Sequence, residues 1–188
     1  PAAAPQAVAV TVPVAAPAAG PVEDQPFTVA EALKGMLALQ GKLSVSQIGM
    51  GETIDEIFDG VSSRRNQVLM DIGAEFNLGT IDGAHEQPLT QLIGEIERRA
   101  AQYKSMGKYL SVAVDEALKR ALGRAGLSRK DTLAYFASTF GMGEGLSQSA
   151  LLTLALETRE GDSARGGVLG AKGGAAPASK AEAQGLLD

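Results

Sequence analysis

The sequence predicts an all-α fold, and three observations carry that prediction. Apolar residues recur at helical spacing through the middle of the chain, as in Leu89, Leu92, Ile93 and Ile96. The motifs Thr28-x-x-Glu31, Thr53-x-x-Glu56 and Ser128-x-x-Asp131 have the form of capping boxes, which satisfy the free N–H groups of a helix start. The alternation of apolar and polar residues that marks a half-buried strand is missing.

Residues 1–26 are mostly Ala, Pro, Val and Gly, with Pro1, Pro5, Pro13, Pro17, Pro21 and Pro26 spaced along them. Spaced prolines keep a chain extended and stop a helix or central strand from closing. This segment reads as a semi-rigid linker, reaching roughly 80 Å at about 3.1 Å per residue when fully extended. A first helix follows Thr28, with Val29, Leu33, Met36 and Leu37 on one face and Gly41 at its end. A long connection runs from Gly41 to Glu52. Thr53 then opens a short turn carrying Ile54, Ile57 and Phe58. The next helix starts near Ser62 and buries Val68, Leu69, Ile72 and Phe76. Pro88 is placed as the first residue of a further helix, where its missing N–H costs nothing.

Three more helical segments complete the pattern. One runs from about Gly107 to Ala125, with Leu110, Val114, Leu118, Ala121 and Leu122 inward. Another starts at Ser128 and turns Leu133, Phe136 and Phe140 inward. The last follows Gly141, Gly143 and Gly145 and carries Leu146, Ala150, Leu151 and Leu154. From Gly161 to Asp188 the chain is rich in Gly, Ala and Ser and reads as a second, more flexible linker. A phosphate-binding loop is excluded there, since no Gly-Lys-Ser/Thr follows the glycines at the required spacing and no strand precedes them. The division is thus a linker over 1–26, a helical domain over 27–160 and a linker over 161–188. Each buried Leu, Ile or Phe of that domain contributes about 1.5–3 kcal/mol, so it folds without metals or disulfides.

Composition narrows the function. The chain has 188 residues, no cysteine and a net charge of −5. Disulfides, thiolate metal sites and a cysteine nucleophile are therefore excluded. The acidic balance and scarce aromatics argue against nucleic-acid binding. No apolar run reaches the roughly 18 residues of a membrane span, and no basic signal region opens the chain. The expected setting is the cytoplasm. Pro1 in place of Met suggests a piece of a longer polypeptide, or a processed chain.

An independent active site is not expected. His85 is the only histidine and lies in a loop flanked by Gly and Asp (Asp82, Gly83), where a solvated role is expected. Asp55/Glu56 and Asp71/Glu75 are the available carboxylate pairs, and both read as solvated charge on polar helix faces. Neither a catalytic nor a metal-ligating residue is assigned. Ser62 differs. A hydroxyl at a helix N-terminus sits beside unpaired N–H groups and the positive end of the helix dipole, both favourable to an attached phosphate. Arg64 and Arg65 add positive charge within a turn. Serine is also a preferred N-cap residue, so capping alone offers an explanation of Ser62.

The segment Gly60-Val61-Ser62-Ser63-Arg64-Arg65-Asn66-Gln67-Val68-Leu69-Met70-Asp71-Ile72-Gly73-Ala74-Glu75-Phe76 resembles the serine-bearing helix of acyl carrier domains in type I fatty acid synthases, of the fungal and mycobacterial kind. Gly60, Ser62, Asn66, Leu69, Asp71, Gly73, Glu75 and Phe76 fit that pattern, and the likeness extends over about residues 28–160. Stand-alone carriers usually show Asp-Ser-Leu and an acidic helix here, whereas this chain has Val61-Ser62-Ser63 and two arginines. Ser63 is a hydroxyl too, and the resemblance, not chemistry, selects Ser62.

The resemblance implies an acyl-carrier-type helical bundle enlarged by C-terminal helices. It implies a non-catalytic domain of a multifunctional synthase, with 4′-phosphopantetheine attached to Ser62 by a phosphopantetheinyl transferase. The growing acyl chain would ride on the arm as a thioester. The implied partners are the ketoacyl synthase, ketoacyl reductase, dehydratase, enoyl reductase and acyltransferase domains of the same complex. Flexible tethers keep such a carrier concentrated near its partners. Partial shelter of the acyl chain is expected between the serine helix and its neighbours, because complete burial, at about 0.8 kcal/mol per methylene, would slow release. Arg64 and Arg65 are expected to stay exposed. The rival readings are a carrier domain of a polyketide-type synthase, a helical interaction module whose Ser62 merely caps a helix, and a small DNA-binding domain on Ser128–Phe140.

Overall fold

The computed structural model describes residues 22–174 and 176–188. Among these the chain forms α-helices and no named strand. In order they are α1 (Val29–Gly41), α2 (Ile54–Ile57), α3 (Ser62–Phe76), α4 (Leu89–Arg99), α5 (Lys108–Leu122), α6 (Arg129–Phe140), α7 (Glu144–Glu157) and α8 (Lys180–Leu187). Short 3-10 turns occupy Val45–Gln47 and Gly123–Ala125.

The helix starts form for local reasons. Thr28, Thr53 and Ser128 each accept a hydrogen bond from the backbone three residues on, and the carboxylates of Glu31, Glu56 and Asp131 bind back to the cap residue's N–H. Pro88 stands one position earlier than expected, as the N-cap of α4. Helix α1 packs against α3, α4 and α7, and α5 packs against α3 and α7. Leu33, Met36, Leu37, Leu89, Leu92, Ile96, Leu110, Leu122 and Leu151 fill the centre and are fully buried. Leu69, Leu133, Phe140, Leu146 and Ala150 are only partly buried, because they lie at the edges of their helix faces.

One polar joint runs through this core. Glu75, near the end of α3, is 2% exposed. Its carboxylate accepts from the N–H of Gly107 at 2.6 Å, the N–H of Leu110 at 2.8 Å and the Tyr103 hydroxyl. Gly107 is the N-cap of α5 and offers no side chain of its own, so a residue from α3 caps α5. A Cβ on residue 107 would lie 1.8 Å from the Glu75 carbonyl oxygen, so only glycine admits the approach. Burial, and then the Glu75 carboxylate, push the Tyr103 phenol above its ordinary pKa. The expectation that Glu75 is solvated charge is therefore corrected.

The two chain ends depart from the linker expectation where they are described. Residues 1–21 lie outside the described residues. Of the remainder, Asp24 accepts from the N–H groups of Gly145 at 3.2 Å and Leu146 at 3.0 Å and so caps α7. Residues 161–188 were expected as a flexible linker, yet the described ones among them, 161–174 and 176–188, fold back on the helices. Leu169, Ala183 and Leu186 are buried, and α8 packs on the Gly123–Ala125 turn. Residues 161–170 close a small loop through a bridge between Asp162 and Val168. Gly166 and Gly167 have φ of 86° and 79°, so they supply left-handed turns here rather than slack.

Replacing Glu75 by alanine strands three donors in the core. The expected loss is about 3 kcal/mol of unfolding free energy in a urea titration, and a loss below about 1 kcal/mol would contradict the joint. A second expectation concerns acid. Backbone donation from Leu146 holds Asp24 below its ordinary pKa, the Ser128 hydroxyl does the same for Asp131, and the Arg165 guanidinium does so for Glu52. A carboxyl depressed in the folded state adds stability that is complete above its unfolded pKa and is lost as pH falls through the folded one. Thermal midpoints are expected to hold steady above about pH 4.5 and to fall below about pH 4. A midpoint that rises on acidification would contradict these contacts.

Candidate functional site

The site is built on the turn between α2 and α3. Asp59 and Gly60 both take left-handed backbone, with φ of 53° and 66°. Glycine and aspartate tolerate that conformation better than most residues. The Gly60 N–H donates to the Asp55 carbonyl at 2.8 Å and the Val61 N–H to the Phe58 carbonyl at 3.1 Å, which reverses the chain tightly. Val61 is extended and is the N-cap of α3, and no side chain caps the helix. Ser62 is the first helical residue and is exposed.

This placement separates two explanations of Ser62. Capping requires the side chain of the residue before the first helical one, and that residue is Val61. The first-turn N–H groups of α3 have no side-chain acceptor, and the positive end of the helix dipole faces outward. The arrangement suits an anion beside an available hydroxyl.

The neighbouring charges differ in part from expectation. Arg64 is exposed, as expected. Arg65 is not free. Its guanidinium lies 3.2 Å from the Asp55 carboxylate and is partly covered. His85, expected to be a solvated loop residue, is 26% exposed at its side chain. Its ring nitrogen lies 4.0 Å from Asp55 and 3.6 Å from Glu86, and its carbonyl accepts the Asp55 N–H at 3.1 Å. Asp71 accepts from Gln40 and Gln67, each at 3.0 Å. Glu56 is a cap partner. The carboxylate pairs thus have structural tasks that their helix-face positions alone did not announce.

A groove of about 550 Å³ runs beside α3, under residues 78–84. Asn66, Leu69, Met70, Gly73, Leu78 and Ile81 are among its lining residues. Ser62, Asn66, Leu69 and Gly73 follow one another at helical spacing, so one face of α3 leads from the hydroxyl into the groove. Met70, on this helix, is 70% exposed, and Val61, beside Ser62, is 42% exposed. Among the described residues no cluster of His, Asp and Glu could hold a metal ion. No described helix is long and apolar enough to cross a membrane.

An all-α bundle with an idle, exposed serine at an uncapped helix start and an apolar groove beside it has the design of a carrier domain. The comparisons say which kind. The family described as "Fatty acid synthase subunit alpha Acyl carrier domain" matches residues 23–162, and the chain belongs to that family. It is 30% identical over 138 residues to the fatty acid synthase subunit alpha of Candida parapsilosis, a match covering 72% of this chain and 7% of that protein. It is 33% identical over 137 residues to the fatty acid synthase subunit alpha of Lachancea kluyveri, covering 73% of this chain and 7% of that protein. The subunit alpha of Schizosaccharomyces pombe is 31% identical over 137 residues, again with 7% of its length matched. The chain therefore spans only a small part of the relatives it matches.

The idle hydroxyl has a direct consequence for stability. Ser62→Ala is expected to change the unfolding free energy by less than about 0.5 kcal/mol, whereas Thr28→Ala or Ser128→Ala costs about 1 kcal/mol through a lost cap. A cost at Ser62 equal to that at Thr28 would reinstate capping as its role.

Proposed function

We propose that the domain carries acyl groups on 4′-phosphopantetheine attached to the Ser62 hydroxyl, within a multifunctional fatty acid synthase in the cytoplasm. The observation that supports this most strongly is the exposed, uncapped start of α3 with Ser62 as its first residue. The residues fit such a group. The first-turn N–H groups of α3 and the nearby guanidinium of Arg64 favour its phosphate. At Gly60 a Cβ would meet nothing within 4 Å, which is consistent with open space at the turn. When bound, the arm supplies the terminal thiol that this cysteine-free chain lacks, and acyl groups ride on it as thioesters.

The chain's own residues have three tasks. The Asp59-Gly60-Val61 turn presents the Ser62 hydroxyl to a phosphopantetheinyl transferase. The groove beside α3 shelters part of an acyl chain, with Leu69, Ile72 and Ile81 offering apolar surface. Its open rim leaves the chain recoverable by the ketoacyl synthase, ketoacyl reductase, dehydratase, enoyl reductase and acyltransferase domains we propose as partners. Arg64, solvent-facing, favours encounter with acidic rims on those domains. Residues 1–21 serve as the tether that makes each encounter intramolecular.

Incubating the chain with coenzyme A and a phosphopantetheinyl transferase is expected to add one arm, read by intact mass. The addition is expected to vanish in Ser62→Ala and to persist in Ser63→Ala. No added mass on the wild-type chain, or an arm that survives Ser62→Ala, would overturn the proposal and leave a helical interaction module.

A further inference from the structure

The loop Gly161–Gly170 does more than end the helical domain. It lies along the connection between α1 and α2 and is bonded to it at many points. The Ala164 N–H donates to the Lys42 carbonyl at 2.9 Å, and the Ser44 hydroxyl donates to the Val168 carbonyl at 3.2 Å. The Gln47 amide donates to the Gly166 carbonyl at 2.8 Å and accepts from the buried Ser163 hydroxyl. Just before the loop, Arg159 donates to the carbonyls of Ala38 and Leu43, each at 2.8 Å. Arg165 makes the contact closest in sequence to α2. Its guanidinium donates to the Gln47 carbonyl at 2.6 Å and grips the Glu52 carboxylate with two nitrogens, at 2.6 and 3.1 Å.

Glu52 is a junction. Its carboxylate also accepts the Gly49 N–H at 2.6 Å, and its carbonyl accepts the N–H of Leu89, the first residue of α4, at 2.9 Å. The next residue, Thr53, is the N-cap of α2. From there the path is short. The Asp55 carbonyl receives the Gly60 N–H, and the Asp55 carboxylate receives Arg65 of α3. One chain of bonded groups therefore leads from the loop to the turn that presents Ser62.

We propose that Arg165 is a positioning residue for the Ser62 turn: by fixing Glu52, it holds α2 and residues 59–61 in the single arrangement that a modifying enzyme meets. This rests on the assignment of Ser62 as the attachment point. The family match ends at residue 162, so Glu52 lies within the matched segment and Arg165 just beyond it. A bidentate guanidinium–carboxylate pair defines distance and orientation together, which suits a positioning role and which lysine does not reproduce. The Arg165 guanidinium and Glu52 also shift each other in the sense of a true ion pair, Glu52 downward and Arg165 upward.

The test uses the full chain, with Arg165→Ala, Arg165→Lys and the paired exchange of Arg165→Glu with Glu52→Arg. Amide hydrogen exchange is followed at Ala164, Gly49, Asp55 and Gly60, with Leu118 and Leu154 in the helical core as references. Arg165→Ala is expected to speed exchange about tenfold at all four sites and to leave the references unchanged. The transferase's kcat/KM for this chain is expected to fall about fivefold, through a raised KM. The lysine variant is expected to recover little, and the paired exchange is expected to recover much of the kinetic effect and of the exchange at Asp55 and Gly60, but not at Gly49, whose N–H loses its Glu52 acceptor. Faster exchange at Ala164 without any change at Asp55 and Gly60 would overturn the proposal, as would unchanged transferase kinetics in a chain that is modified. If the wild-type chain accepts no arm, the assignment of Ser62 fails instead, and the exchange at Asp55 and Gly60 alone decides whether Arg165 governs the turn.

Discussion

The arrangement of this domain depends on a carboxylate taken out of water. Glu75 ends one helix and caps another, with Tyr103 completing its hydrogen bonds. A buried anion is tolerable only where donors surround it, and here two of the donors are the free N–H groups of α5. The joint fixes the C-terminal end of α3 against the helices that follow. The opposite end of α3 is left to solvent, with a valine at its cap and a serine as its first residue. Rigid anchoring at one end and chemical availability at the other are what a carrier helix requires.

The apolar groove and the Ser62 turn follow from the same geometry. With α3 held against α1 and α5, another part of its surface lies along residues 78–84, which leave a groove between them. Gly73 allows that cover to come close, since a Cβ there would lie 3.0 Å from the Leu78 carbonyl oxygen. A half-covered face suits a cargo that must be sheltered and then surrendered. Membership of the fatty acid synthase carrier family gives these features their context, and the match covers the anchoring glutamate, the serine and the groove together.

Much of the fold was legible in the sequence because its signals are local. Thr28 with Glu31, Thr53 with Glu56 and Ser128 with Asp131 each declare a helix start within four residues, and all three boxes form. The stripe Leu89, Leu92, Ile93 and Ile96 is buried as its spacing requires. What escaped depends on distant partners. Glu75 is an ordinary charged helix residue in sequence, while its donors lie some thirty residues away and reach it only in the folded chain. Arg65 was expected in solvent because Asp55 precedes the turn that brings the two together. The glycines of 161–170 have the composition of slack, yet tight left-handed turns require the same residue. Their partners Ser44 and Gln47 are more than a hundred residues earlier, beyond any local pattern. For Ser62 the difficulty was one of register. One residue decides between a capping hydroxyl and an idle one, and helix boundaries are uncertain by that much.

The most direct measurement is a peptide map, by tandem mass spectrometry, of the full-length protein purified from its own host. A phosphopantetheine arm is expected on the peptide that spans the start of α3, with fragment ions placing it on residue 62. An unmodified peptide in all of the isolated material, or an arm located on Ser63 or elsewhere, would contradict it.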